Sequence, residues 1–231
     1  MSAKGHRLFA AVYDRLNTQA ERTWLGSRRA GLVGQARGDV LEVGAGTGAN
    51  LRHYRDVTRV VAAEPDPAMR GRLTRHLASA TVPVEVSDAP AEHLGFPDAS
   101  FDTVVATLVL CSVVDPNAAL AEMRRVLRPD GRLLVLEHVR GEGRRARWQD
   151  RVTPIWRRVG AGCHPNRDTQ TAVVRAGFHL DHEDRFEPPR VPAIICPFVE
   201  IVARSDSKGP KPQVLSDSSN DHQSAVFGHP G

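Results

Sequence analysis

The run Val40-Leu-Glu-Val-Gly-Ala-Gly-Thr-Gly48 constrains this chain more than any other segment. A short β-branched strand ends at Val43 and meets glycines at 44, 46 and 48. Glycines in that position permit positive φ and let backbone amides approach a ligand closely. From Val40 onward, β-branched runs alternate with helical patterns, and strands are expected at 40–43, 59–64, 84–87, 101–107 and 132–137. Asp66-Pro67 and Asp115-Pro116 each supply an N-cap followed by proline at the first helical position. Leu120, Met123, Val126 and Leu127 give the second of these helices an apolar face, and Pro129-Asp130-Gly131 turns into the next strand. Such alternation requires a parallel α/β sheet covered on both faces.

Acidic residues flank the glycine turn. Glu64 closes the second strand, twenty residues after Gly44, where a carboxylate can bind a ribose diol. A helix opening near Gly48 would aim its N-terminus at the ligand. Gly44-x-Gly46-x-x-Ala49 also satisfies the dinucleotide fingerprint. Glu42, two residues before the first glycine, suits a ligand with a cationic amino-acid portion better than a pyrophosphate. A nicotinamide oxidoreductase and a non-catalytic cofactor-binding or interaction protein, using its polar tail for a partner, stay open as alternatives.

Three segments together carry a resemblance. Leu41-Glu-Val-Gly-Ala-Gly-Thr-Gly-Ala-Asn50, Phe96-Pro-Asp-Ala-Ser-Phe-Asp102 and Glu122-Met-Arg-Arg-Val-Leu-Arg-Pro-Asp-Gly131 resemble successive motifs of class I S-adenosylmethionine-dependent methyltransferases, in the branch with the ubiquinone/menaquinone enzymes. Thr107-Leu-Val-Leu-Cys-Ser-Val113, Leu136-Glu-His-Val139 and Gly162-Cys163 look most like the thiol S-methyltransferase subgroup. The resemblance covers about residues 9 to 203. It implies a Rossmann-like seven-stranded sheet, mostly parallel with one antiparallel strand, and S-adenosylmethionine as cofactor. By the same resemblance, Glu42, Gly44, Ala45, Gly46 and Gly48 hold the amino-acid portion of the cofactor. Glu64 takes the ribose, and Pro65, Asp66 and Met69 flank the adenine. Either Asp88-Ala89 or Pro90-Ala91 falls at the adenine edge; aligning back from Phe96-Pro97 favours Ala91, followed by Glu92, while Thr107 and Leu108 face the cofactor and the acceptor entry.

On the acceptor side, His138 follows Glu137 at the end of the fifth strand, where α/β ligands bind, and is the candidate general base. A hydroxyl acceptor would need one; a thiol is already partly ionised near neutral pH. Tyr13, Cys111, His138 and Trp148 are the candidate pocket residues. Trp148, Val152, Ile155, Trp156 and Val159 form a helical stripe opposed by arginines. The stripe is expected to close inward as a lid, with contact to a membrane surface as the alternative. Cys163-His164 offers two adjacent ligands without spaced partners, so no metal is expected.

Composition sets the remaining limits. The 231 residues suit one domain with a sizeable core, and three widely spaced cysteines exclude a disulfide framework. A reducing, cytoplasmic setting follows. A net charge of +4 does not imply nucleic acid, and no apolar run is long enough to span a bilayer. A small-molecule substrate is expected, with the oligomeric state open. Three segments are expected: an N-terminal helical cap over 1–38, the cofactor-binding domain over 39–203 and a polar, disordered tail over 204–231. Thr18-Gln-Ala-Glu21 matches a capping box at the start of a helix.

Overall fold

A computed structural model describes residues 18–160 and 162–205. Tyr13, the apolar helix expected around it and the tail beyond Ser205 lie outside the described residues. Seven strands form one sheet: β1 (Gly38–Val43), β2 (Val57–Ala63), β3 (Val84–Ser87), β4 (Phe101–Thr107), β5 (Leu127–His138), β6 (Phe178–Phe186) and β7 (Phe198–Ser205). Their order is β3-β2-β1-β4-β5-β7-β6, and β7 runs antiparallel to both of its neighbours. The other pairings are parallel. The expected mostly parallel sheet with one reversed strand is present. The chain reverses its direction of growth between β1 and β4, so a crevice opens there at the carboxyl ends of the strands.

Strand periodicity sorts the core. Val40, Val60, Val105, Leu134 and Leu136 project to the face covered by Leu25, Leu32 and Val33 of the N-terminal helical segment. Leu41, Val43, Val61, Val104, Leu133 and Val135 project to the other. There they meet α3 (Pro116–Val126) through Ala119, Leu120, Met123 and Val126, and α5 (Thr169–Arg175) through Val173. α1 (Gly26–Val33), preceded by the π-helical turn Glu21–Leu25, therefore shares one core with the sheet. Glu21 has its carboxylate on Arg29 Nε at 2.9 Å, so it serves a buried ion pair.

Both Asp-Pro signals form the starts of helices. Asp66 accepts from the amides of Ala68 and Met69 at 2.8 and 2.9 Å, opening α2 (Pro67–His76). Asp115 does the same for Asn117 and Ala118 ahead of α3. Asp66→Ala should cost about 1 kcal/mol of stability, read as a lower urea midpoint at unchanged slope. An unchanged midpoint would show that the cap contributes nothing.

Three details differ from the sequence expectation. No α-helix follows Gly48; the chain makes turns and one 3-10 turn, Leu51–His53. Asn50 and Tyr54 are both fully buried and bonded to Glu42, and the chain leaves the 3-10 turn at Tyr54 in an extended conformation, φ −71° and ψ 134°. Pro129-Asp130-Gly131 is a bulge within β5, with Asp130 at φ 62°, between the pairings Phe101–Leu127 and Thr103–Arg132. β7 also continues through Arg204, which pairs with Asp181, and buried Ser205. The sheet thus extends two residues past the boundary drawn from composition.

Candidate active site

The glycine turn sits at the carboxyl end of β1. The amides of Gly44 and Ala45 both bond the carbonyl of Ala63, at 2.9 and 3.0 Å, which locks the turn onto β2. Gly44, Gly46 and Gly48 have φ of 67°, 58° and 89°. A Cβ at Gly44 would lie 2.3 Å from Val109 Cγ2, and one at Gly48 would crowd Leu73 and Leu51. A Cβ at Gly46 would meet nothing within 4 Å, so this residue faces open space. Glu64 closes the cradle: its carboxylate accepts from the amides of Gly46 and Asp66, both at 2.8 Å. Burial raises its pKa, against the lowering effect of those two bonds. An open glycine cradle beside a carboxylate at the end of the next strand fits the amino-acid and ribose portions of S-adenosylmethionine.

Below the cradle lies a buried polar network that sequence reasoning identified only at Glu42 and Thr107. Strand alternation turns Glu42 toward the same face as Val40, beneath α1. Its carboxylate accepts from Asn50 Nδ2 at 2.9 Å and Tyr54 Oη at 2.8 Å. Arg29 reaches in from α1, donating to Asn50 Oδ1 at 2.9 Å and to Thr107 Oγ1 at 2.7 Å. Burial pushes the Glu42 carboxyl up to about 7, with Tyr54, Arg29 and Asn50 pulling against that rise. Tyr54 is raised well above its usual value by burial and by Glu42. Arg29 carried no motif signal, since one arginine in an arginine-rich helix resembles any exposed charge.

The residues expected around the adenine are arranged more simply. Pro65 is exposed, Met69 half-buried and Asp66 committed to its cap. Ala91 is buried in the core. Glu92 points elsewhere: its carboxylate accepts the amides of Val114 and Asp115, at 2.7 and 3.3 Å, and anchors the β4–α3 loop. Thr107 turns its hydroxyl into the buried network, accepting from Arg29 and Asn50. Leu108, at φ 56°, bends the chain away from β4, its amide held by the carbonyl of Leu136 at 2.8 Å.

Beyond β4 and β5 the structure brings together residues far apart in sequence. Cys111, His138 and Cys163 place their ligating atoms within 4.8 Å of one another. Cys163 Sγ lies 3.3 Å from His138 Nε2 and accepts Trp156 Nε1 at 3.2 Å. His138 Nδ1 is buried with no hydrogen-bond partner. Glu137 lies fully buried below, accepting the amides of Cys111 and His138, each at 3.1 Å. The neighbouring Cys111 thiol and His138 hold Cys163 down to about 4 despite burial. Burial lowers His138, but Cys163 and Glu137 outweigh it and the net direction is up. The contact thus draws Cys163 down and His138 up, and His138 is engaged by Cys163 instead of standing free as the general base expected from the sequence.

The loop carrying Cys163 is pinned to the Cys111 loop. His164 donates its amide to the Cys111 carbonyl at 2.7 Å, and Arg167 binds the carbonyls of Leu110 and Val113. α4 (Gly143–Val159) is rotated relative to the expected lid. Ala146, Gln149 and Thr153 face inward, while Trp148, Ile155 and Val159 are 43%, 64% and 69% exposed. The cause is Gln149, fully buried: it accepts from Gly141 N and donates to the carbonyls of Pro165, Ile194 and Cys196. Satisfying those backbone groups fixes the inward face. Trp156, not Trp148, is the helix residue that reaches the cluster.

Substituting Glu64 by Ala should weaken cofactor binding by about 1–3 kcal/mol, because an ionised acceptor and the anchor of the Gly46 amide are lost together. Calorimetric titration with S-adenosylmethionine checks this, and an unchanged Kd would reject a ribose role for Glu64.

Comparison with known proteins agrees with this geometry. A family model described as a methyltransferase domain matches residues 41–135. Thiol S-methyltransferase TMT1B of Homo sapiens is 40% identical over 195 residues, covering 79% of this chain and 78% of the relative. The Rattus norvegicus protein of the same name is 34% identical over 197 residues, covering 82% and 72%. A putative methyltransferase structure from Bacillus halodurans superposes with a TM-score of 0.66 at 16% identity, covering 80% of this chain and 99% of that one. The glycine cradle, the acid at the end of β2 and these relatives lead to one conclusion: the chain belongs to the class I S-adenosylmethionine-dependent methyltransferases.

Proposed function

We propose that this enzyme transfers a methyl group to the sulfur of a small apolar thiol. The observation that carries the reading is the 40% identity, over most of both chains, to a protein named for that activity. The acceptor side agrees in kind. Around the ends of β4 and β5 stand buried Cys111 and His138 with half-buried Cys163 and Trp156, a soft and partly apolar cluster.

Bound S-adenosylmethionine supplies an electrophilic methyl on a sulfonium. The chain's own work is to hold, orient and exclude water. In this reading Glu42 neutralises the ammonium of the amino-acid portion, which lies over the open face of the turn at Gly46. Glu64 binds the ribose; Pro65, Met69 and Ala91 bound the adenine. Leu108 shapes the passage from the cradle to the acceptor. A thiol with a pKa near 8.5 is already a few per cent ionised at neutral pH, so no strong base is required. A cytoplasmic setting belongs to the same proposal, supported by the free thiols of Cys111, Cys163 and Cys196.

The exposed Trp148, Ile155 and Val159 beside Arg144, Arg147 and Arg151 favour a second reading. There the acceptor is a quinol, phenol or phospholipid amine met at a lipid surface. Among the described residues no helix is long and apolar enough to cross a membrane. Incubation with S-adenosylmethionine and a panel of thiols, phenols, quinols and phospholipid amines separates the two. Thioether products by mass spectrometry are expected; methylation confined to oxygen, carbon or nitrogen would overturn the thiol reading.

A further inference from the structure

Cys111, His138 and Cys163 come from three separate elements: the loop after β4, the last residue of β5 and the loop after α4. Chain connectivity does not force their meeting, yet their ligating atoms all lie within 4.8 Å of one another. Core packing alone gives no reason for it.

The set matches one chemistry. Tetrahedral Zn2+ holds thiolate sulfur at about 2.3 Å and imidazole nitrogen at about 2.0–2.1 Å, placing neighbouring donors roughly 3.5–3.8 Å apart. The 3.3 Å between Cys163 Sγ and His138 Nε2 is within a few tenths of an ångström of that spacing. Two sulfurs and an imidazole select a thiophilic cation over Mg2+ or Ca2+. Trp156 Nε1–H on Cys163 Sγ supplies an outer donor of the kind that orients ligands. Three protein ligands leave one position of the tetrahedron for an exogenous group. The cluster also adjoins the cofactor cradle: Val109, two residues before Cys111, packs against Gly44.

We propose that Cys111, His138 and Cys163 hold a zinc-class divalent cation whose fourth position takes the acceptor thiol as its thiolate. The fourth-position assignment rests on the thiol reading above. When the thiol enters, one metal–sulfur bond forms and one water leaves the metal. The S–H proton passes to bulk water, and no electrons change hands. The acceptor is then ionised and fixed in place whatever its pKa in solution.

Chelator-treated full-length protein, titrated with Co2+ and followed by absorption, tests this without any turnover. We expect one Co2+ per chain, a thiolate-to-metal charge-transfer band, d–d bands of a tetrahedral ion, and displacement by Zn2+. Adding thiophenol should then change the d–d bands. Cys111→Ser and Cys163→Ser should lose stoichiometric binding, with circular dichroism reporting whether each is folded, while Cys196→Ser keeps it. His138→Gln, which spares both thiols, should weaken binding and provides a further variant should a serine form not fold. No charge-transfer band in the parent chain overturns the proposal, as does a band kept by both folded serine variants. A parent spectrum that ignores thiophenol also overturns it. The thiol reading fails on different evidence, the absence of a thioether in the acceptor panel, so the two failures are distinguishable.

Discussion

Glu42→Gln is expected to weaken S-adenosylmethionine binding by about 1.5–3 kcal/mol, roughly ten- to more than a hundredfold in Kd. The substitution is nearly isosteric and keeps an oxygen for Asn50 or Tyr54. What it removes is the charge that we assign to the cofactor's ammonium. It also exposes a pH effect. Burial pushes the Glu42 carboxyl up to about 7, from 4.5 for a free glutamate. Between those values the folded chain keeps a proton that the unfolded chain has released. Stability from this group is therefore full below about 4.5 and is lost as pH rises through 7. The loss amounts to about 3 kcal/mol for the cofactor-free protein. Glu64 and Glu137 are raised as well, so the parent's slope has several sources. The difference between parent and Glu42→Gln isolates one of them. Cofactor affinity should run the other way in the parent, strengthening as pH rises and Glu42 ionises. Urea unfolding and calorimetry from pH 5 to 8 check both; identical slopes in parent and variant, with equal Kd, would remove Glu42 from both roles.

Arg29→Met should be the most destabilising single change in the network. Arg29 is 5% exposed and holds Glu21, Asn50 and Thr107 at once. Its removal leaves the Glu21 carboxylate to the longer Arg52 contact at 3.6 Å and takes a donor from two buried acceptors, Asn50 Oδ1 and Thr107 Oγ1. Breaking a buried pair by deleting one partner costs about 3–5 kcal/mol, which for a domain of this size lowers Tm by roughly 6–20 °C. Arg29→Lys should recover only part, because an ammonium cannot reproduce the fork that spans three acceptors. Chemical denaturation of the three proteins measures the series. A loss below about 1 kcal/mol in Arg29→Met would mean that the network is solvated and contributes as a surface pair does. The two variants also probe separate functions. Arg29 organises the floor beneath the cradle from α1, whereas Glu42 carries the charge.

Sequence by itself determined the parts that depend on local chemistry. Strands β3 and β4 match their expected limits, β1 and β5 are longer, and β2 begins two residues early and stops one short at Ala63, because β-branched runs bounded by turn residues specify extended backbone locally. The Asp66 and Asp115 caps were legible because a cap is a contact between residues two or three positions apart. The glycine turn was legible for the same reason: positive φ at 44, 46 and 48 is a property of those residues alone. Only the tertiary structure decided the rest. That Asn50 and Tyr54 meet at the Glu42 carboxylate depended on the turn after Gly48 folding back over β1. Which face of α4 turns inward depended on Gln149 meeting four backbone groups from three segments. That Cys111, His138 and Cys163 form one cluster depended on sheet order, which places the ends of β4 and β5 side by side and folds a later loop over them. Periodicity and capping are set by neighbours along the chain. Buried polar groups take their partners from wherever the packed fold supplies them, and no short stretch of sequence holds that information.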